Sequence, residues 1–154
     1  MRELNHLSEV INAYETFVID LWGVMHNGIK LNEKAMEAVK ELRIKSKKIV
    51  FLSNAPRPSL KVIDFLMKMK MGKQYLSNVM TSGEAAMQAI NHNKFGKNFF
   101  HLGPPRDSSI FEKVKDNLST IDDCDFILCT GLFDEDQPNH NKPQLHENDL
   151  DYYR

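Results

Sequence analysis

The stretch ETFVIDLWGVMHNG, residues 15–28, decides the fold of this protein. Its apolar run at residues 17–19 ends in Asp20, and a glycine follows at Gly23. Branched and aromatic residues with turn residues behind them are typical of a buried strand in a parallel sheet, and we predict such a strand over residues 16–20. A carboxylate at the carboxyl end of such a strand lies where open α/β sheets place their reactive groups. Because aspartate also favours turns, this stretch alone leaves a structural and a functional interpretation open.

Composition and charge exclude several classes of protein. The 154 residues carry a formal net charge of -1, with 20 Lys and Arg scattered among 21 Asp and Glu. The sequence therefore lacks the basic stripe that nucleic-acid binding requires. Its apolar runs are far shorter than a membrane span, and its N-terminus, MRELNHLSEV, lacks the apolar centre of a signal peptide. We predict a cytoplasmic protein with no nucleic-acid or membrane partner.

Strands and helices alternate along the predicted chain. Asn32 is expected to cap a helix, and the second strand is KIVFLS at residues 48–53, which the prolines of NAPRP end. Further elements are predicted as a short helix in the first dozen residues, helices from Ser59 to about residue 72, over 83–92 and over 108–118, and strands over 75–80, 98–102 and 125–131. This alternation predicts an α/β fold with a Rossmann-like parallel sheet.

The first strand–helix–strand unit predicts where the chemistry lies. Such a unit crosses over right-handed, so its two strands are parallel and their carboxyl ends share one side. Asp20 and the pair Ser53 and Asn54 are therefore expected at the same edge of the sheet. A carboxylate can act as a nucleophile, while a hydroxyl and amides bind phosphoryl oxygens. We predict a site for a phosphoryl group at this edge.

These motifs, in this order, resemble those of the haloacid dehalogenase superfamily of hydrolases and phosphatases. In that family one apolar strand ends in DxDGV or DxDGT and a second ends in Ser or Thr; here they read FVIDLWGV and IVFLSN. The closer resemblance is to subfamily IIA, which includes proteins similar to nitrophenylphosphatase and nucleotide phosphatases. Its G-V-x-x-x-G loop matches residues 23–28, and the resemblance continues through VMTSGEAA, FFHLGPPRD and DFILCTGL.

The resemblance implies roles for five residues. Asp20 would be the nucleophile that forms an aspartyl-phosphate, and Ser53 would contact the transferring phosphoryl group. Asn54 and Gly23 would contribute to substrate binding. The family's Mg²⁺ would be held by Asp20 and by the backbone carbonyl of Trp22.

The resemblance also implies a division of the chain. Residues 1–80 would be the N-terminal half of the family's core domain. Residues 81–154 would be the start of an α/β cap domain. Since specificity in the family lies in the cap, the sequence does not reveal which small phosphorylated metabolite is bound.

Trp22 is the first departure from the family pattern. It stands where the family has a second aspartate that protonates the leaving group, and an indole cannot act as a general acid. Losing that role costs about 10²- to 10⁴-fold in rate. His26 could substitute, although we expect it to be a solvated loop residue. Some branches, including the dehalogenases, also lack this aspartate, so the reaction class stays open.

The second departure is that the sequence ends before the family's motif III lysine and motif IV acidic pair. We therefore expect a truncated piece that is weakly active or inactive, and whether it is an enzyme stays undecided. An alternative is a non-catalytic α/β module that binds a phosphorylated ligand through Ser53, Asn54 and loop amides. A homo-oligomer, or a split enzyme completed by a complementing C-terminal chain, also stays open.

Overall fold

A computed structural model describes Leu4 and residues 6–131 of the protein. The chain divides into two compact units, the first ending at Gly83 and the second beginning at Glu84. The strands are β1 (Thr16–Asp20), β2 (Lys48–Ser53), β3 (Val79–Thr81), β4 (Phe99–Leu102) and β5 (Phe126–Cys129), and the α-helices are α1 (Glu33–Ile44), α2 (Ser59–Lys68) and α3 (Ser82–Asn91). The predicted α/β fold with parallel strands is confirmed.

The first unit contains a parallel three-stranded sheet in the order β1-β2-β3. Ile19 pairs with Phe51, and Phe51 pairs with Val79, so these three residues lie side by side on one face. The bounds of β1 and β2 agree with the prediction. The third strand begins at Val79 rather than at residue 75, because Lys73–Tyr75 forms a turn of 3₁₀ helix.

The core of the first unit forms where α1 and α2 cover that face. Phe51 and Leu66 are fully buried, and they cluster with Val39 of α1 and Val62 of α2. Asn32 caps α1 as predicted, since its side-chain oxygen accepts a hydrogen bond from the N–H of Ala35. Burial of these apolar side chains is what holds the helices on the sheet.

The opposite face of this sheet exposes apolar side chains in the described part of the chain. Val18 is 62% exposed, Leu52 48% and Met80 41%. Successive side chains along a strand point to opposite faces, so these three residues lie on the face opposite that of Ile19 and Phe51. β1 is also an outer strand of this sheet, so among the described strands it pairs on one side only, with β2.

The second unit pairs β4 with β5 in parallel, with Phe99 beside Phe126. Ile90 of α3 packs with Phe99 in the core of this unit. The helix predicted over residues 108–118 is wrong: the chain forms two 3₁₀ segments, Pro105–Ile110 and Glu112–Asn117. A non-helical backbone at Val114 interrupts the second segment, so no continuous α-helix forms.

The helix predicted in the first dozen residues is also wrong in the described part of the chain. Only Leu7–Glu9 is helical, as a 3₁₀ turn capped by the side chain of His6. So short a segment gains too few hydrogen bonds to offset the cost of nucleating an α-helix.

None of the helices in the described part is long and apolar enough to cross a membrane. The cytoplasmic location and the division into core and cap at residues 80 and 81 stay predictions. Residues 132–154 of the predicted cap lie outside the described residues.

Candidate functional site at the carboxyl edge of the sheet

Asp20 and Ser53 lie at the same edge of the first sheet. Asp20 is the last residue of β1 and pairs in parallel register with Leu52, and Ser53 is the next residue and the last of β2. A right-handed crossover between parallel strands predicts this placement. Asp20 is exposed, and its Oδ1 accepts a hydrogen bond from the N–H of Leu21 at 2.8 Å. One oxygen of the carboxylate is thereby oriented.

The two side chains leave the sheet on different faces. The strand alternation places Asp20 with the exposed Val18, whereas Ser53 is 8% exposed and lies on the helix-covered face. Ser53 Oγ accepts a hydrogen bond from the N–H of Ala55 at 3.2 Å. A hydroxyl that accepts one bond still carries a proton to donate, so Ser53 can offer that proton to an anion at the strand end.

Asn54 is exposed in the loop after β2, and the start of α3 holds that loop in place. The Ser82 hydroxyl donates to the carbonyl oxygens of Asn54 and Ala55 at 2.8 and 3.0 Å, and the N–H of Gly83 donates to Ala55 at 3.1 Å. A Cβ at Gly83 would lie 2.2 Å from the backbone nitrogen of Arg57. Only glycine fits here.

The role of Ser82 and Gly83 was missed in the sequence. In the sequence, the segment VMTSGEAA contributed only to the family resemblance. A contact between this segment and NAPRP joins residues more than 25 positions apart in the chain. Neither segment's own pattern predicts that contact.

Gly23 organises the turn that follows Asp20. Its φ of +79° lies in the left-handed region that favours glycine. Its N–H donates to the carbonyl of His26 at 2.8 Å, and the carbonyl of Leu21 accepts from Met25 and His26. The N–H of Gly23 is therefore engaged within the loop. Its predicted part in substrate binding stays a prediction.

Trp22 projects from this turn and is 66% exposed. Its ring meets the ring of His26 edge-on at 5.4 Å, and His26 meets Phe65 in the same way at 5.4 Å. The indole also lies over Gly28, where a Cβ would approach Trp22 Cη2 to 2.7 Å. The side chain is thus held on one side and open on the other.

His26 is buried, 6% exposed, rather than solvated as expected. Its Nδ1 accepts a hydrogen bond from the N–H of Gly28 at 3.1 Å, which places the proton of the neutral ring on Nε2. Burial lowers the pKa of His26, and the negative charge of Asp20 opposes that shift. A general acid would need the charged form, so this geometry disfavours His26 as the replacement acid.

A cleft of about 390 Å³ opens beside the same loop. It is lined by residues of the loop and of the first turn of α1, from Gly23 to Lys34, and its lining does not include Asp20 or Ser53. The cleft therefore borders the turn that follows Asp20 without including either strand end.

Metal ligands are few in the part of the chain that the structure describes. No group of three or more His, Cys, Asp or Glu side chains is placed there to hold an ion. The two oxygen donors predicted for Mg²⁺, the Asp20 carboxylate and the Trp22 carbonyl, belong to residues two positions apart, one at the end of β1 and one in the turn that follows. Their chemistry suits a hard cation.

Comparison with known proteins identifies the family. A model of the haloacid dehalogenase-like hydrolases matches residues 17–115, which include both strand ends and the loops after them. The chain belongs to the haloacid dehalogenase-like hydrolases. No curated protein is significantly similar to it in sequence.

Solved structures agree with this assignment. A hydrolase of the haloacid dehalogenase-like family from Brucella suis is 27% identical, with a TM-score of 0.74, over 85% of this chain and 49% of that chain. The 4-nitrophenylphosphatase of Thermotoga maritima is 25% identical, with a TM-score of 0.59, over 85% and 49%. Glycerol phosphate phosphatase from Mycobacterium tuberculosis shares the fold at 18% identity, with a TM-score of 0.57, over 80% and 38%. The chain spans about half the length of these relatives or less.

Proposed function

We propose that this chain carries the nucleophile of a phosphatase-type hydrolase, in the subfamily IIA branch, that works through an aspartyl-phosphate. The observation that supports the proposal is the exposed carboxylate of Asp20 at the carboxyl end of β1, with Ser53 at the carboxyl end of the neighbouring strand. The 4-nitrophenylphosphatase among the structural relatives agrees with a phosphomonoester substrate.

The reaction would proceed in two displacements. A carboxylate oxygen of Asp20 attacks phosphorus, and the bond from phosphorus to the leaving oxygen breaks, so the leaving group departs with its electron pair. Water then attacks the aspartyl-phosphate, which releases inorganic phosphate and regenerates the carboxylate. Ser53 would donate a hydrogen bond from its hydroxyl to a phosphoryl oxygen in both steps, and the exposed Asn54 would bind beside it.

Mg²⁺ fits the donors of this edge. The ion is commonly bound by one or two carboxylates, with waters and substrate phosphates completing its shell. We propose that Asp20 and the carbonyl of Trp22 would hold it, as in the resemblance. Bound there, it would supply charge stabilisation to the phosphoryl oxygens. The Mycobacterium relative was solved in complex with magnesium.

We further propose that another segment completes the site by pairing with β1. β1 is at the sheet edge, and the face bearing Val18, Leu52 and Met80 is exposed in the described part. Unpaired strand edges and apolar faces of this kind are normally covered in native proteins. A further part of the same protein or a complementing chain would supply the lysine and acidic pair that the resemblance implies.

Hydrolysis of p-nitrophenyl phosphate with Mg²⁺ tests the catalytic proposal. Asp20→Asn should lower kcat at least about 10³-fold, because a carboxamide is not a nucleophile. Asp64→Asn is the matched control, since Asp64 is exposed on α2 away from the strand ends. Retained activity in Asp20→Asn would contradict the proposal. No activity in the wild type, with or without a complementing chain, would favour the non-catalytic phosphate-binding module.

A further inference from the structure

We infer that the indole of Trp22 is the surface on which the leaving group of the substrate stacks, so that the preferred substrates are phosphomonoesters of planar aromatic alcohols. This inference rests on the proposed function, because it takes Asp20 as the residue that receives the phosphoryl group. It concerns the side chain of Trp22, whereas the metal proposal concerns only its backbone carbonyl.

Burial along the chain places Asp20 and Trp22 on the same side. Asp20 is exposed, Leu21 is 1% exposed, and Trp22 is 66% exposed. The burial pattern of β1, in which exposed and less exposed residues alternate, thus continues one step beyond its last residue. Two residues of chain span at most about 7 Å. An aromatic ring joined to phosphorus through one oxygen can therefore lie over the indole while its phosphoryl group meets Asp20.

The indole is positioned before any ligand arrives. One side of the ring contacts His26 edge-on and lies against Gly28, whose lack of a Cβ leaves room for the indole. His26 is itself held by Phe65 and by the N–H of Gly28. An exposed aromatic ring with a fixed orientation loses little conformational entropy on binding, and offset stacking is the geometry it offers a second ring.

The chemistry of the loop favours the same substrates. The indole of Trp22 cannot protonate a leaving group, His26 is buried with its Nδ1 accepting from the N–H of Gly28, and residues 21–28 contain no carboxylic acid. A phenolate is the conjugate base of an acid with a pKa of about 10, whereas an unactivated alkyl hydroxyl is a much weaker acid and so leaves less readily as an anion. Aromatic leaving groups therefore depart more readily without a proton.

Trp22 provides its own reporter, because the 154-residue sequence contains one tryptophan. Its fluorescence, excited at long wavelength, should respond saturably to phenyl phosphate. The apparent dissociation constant should be about 10-fold lower for phenyl phosphate than for glycerol phosphate, since stacking on an aromatic side chain contributes this much or more. Inorganic phosphate is the control for the phosphoryl group alone. Equal responses to the two esters, or none, would overturn the inference.

Steady-state kinetics gives a second, independent measurement. Trp22→Leu should raise the KM for phenyl phosphate about 10-fold and leave the KM for glycerol phosphate within about 2-fold, while Trp22→Phe retains most of the discrimination. Tyr14→Ala is the matched control, because Tyr14 is an aromatic residue of similar exposure, 59%, before the amino end of β1. An unchanged ratio of the two KM values in Trp22→Leu would contradict the inference.

The two proposals fail differently. If Asp20→Asn keeps its activity while the fluorescence still separates the two esters, the catalytic proposal falls and the stacking surface stands. If Asp20→Asn is inactive while the esters give equal responses, the nucleophile stands and the stacking surface falls.

Discussion

The indole of Trp22 and the imidazole of His26 lie edge-on, with ring centroids 5.4 Å apart and planes at 86°. The pair follows directly on the strand that ends in Asp20, in the turn where the family resemblance places an acid. His26 is buried, which lowers its pKa, and Trp22 is exposed and apolar. The turn thus combines a structural histidine with an exposed ring, and the following predictions test that arrangement.

Protonation of His26 should destabilise the first unit. Its Nδ1 accepts from the N–H of Gly28, so adding a proton at Nδ1 would set two donors against each other. The folded-state pKa is lowered below the ordinary 6.5. The unfolded chain therefore binds more protons, and the stabilisation is present above pH 6.5 and lost as the pH falls through the folded value.

Urea unfolding followed by circular dichroism between pH 8 and pH 5 measures this effect. His26→Gln, which cannot titrate, should reduce the dependence of the unfolding free energy on pH over that window. His92→Gln is the control, because His92 is exposed. A pH dependence that is the same in wild type and His26→Gln would exclude His26 as its source.

Gly28→Ala should lower the free energy of unfolding by more than Gly23→Ala does. Both glycines have positive φ, +89° and +79°, so each substitution costs about 1–2 kcal/mol from the backbone. At Gly28 a Cβ would also meet the indole of Trp22 at 2.7 Å, whereas nothing lies within 4 Å at Gly23. The difference between the two free energies of unfolding measures the indole contact. Equal costs would mean that the indole moves aside freely.

Phe51→Ala should cost about 3–5 kcal/mol, the range for truncating a buried aromatic residue. Phe51 is fully buried between the helices and the sheet. Val18→Ala is the comparison on the exposed face and, in this chain without the covering segment proposed above, should change the free energy of unfolding by less than about 0.5 kcal/mol. A large effect of Val18→Ala would show that this face is covered in the protein as it exists in solution.

Gly83→Ala should displace the loop after β2. The added Cβ would meet the backbone of Arg57 at 2.2 Å, which neither segment can relieve without moving. Overpacking of this kind costs about 1–3 kcal/mol. Because the same loop begins at Ser53 and Asn54, the KM for p-nitrophenyl phosphate should rise as well. Ser82→Ala, which removes only hydroxyl hydrogen bonds, should cost about 1 kcal/mol. If Gly83→Ala lowers the free energy of unfolding by no more than Ser82→Ala does, the two segments move apart easily enough to accommodate the added Cβ.

Local sequence patterns correctly predicted those elements that are determined by residues close together in the sequence. β1 and β2 have the predicted bounds because their apolar runs and the prolines after Ser53 act within a few residues. Asn32 caps α1 for the same reason. The helix predicted over residues 108–118 failed because its backbone is interrupted at Val114, which apolar spacing does not register.

The sequence by itself determined the parallel α/β class and the placement of Asp20 and Ser53 at the carboxyl ends of neighbouring strands, because strand period and crossover handedness are properties of the chain. Only the tertiary structure decided that His26 is buried, that Trp22 is exposed, and that Ser82 and Gly83 hold the loop after Ser53. Burial depends on which distant residues arrive on each side. His26 is enclosed by Phe65, which lies 39 positions away in the sequence, and no local periodicity specifies such a contact.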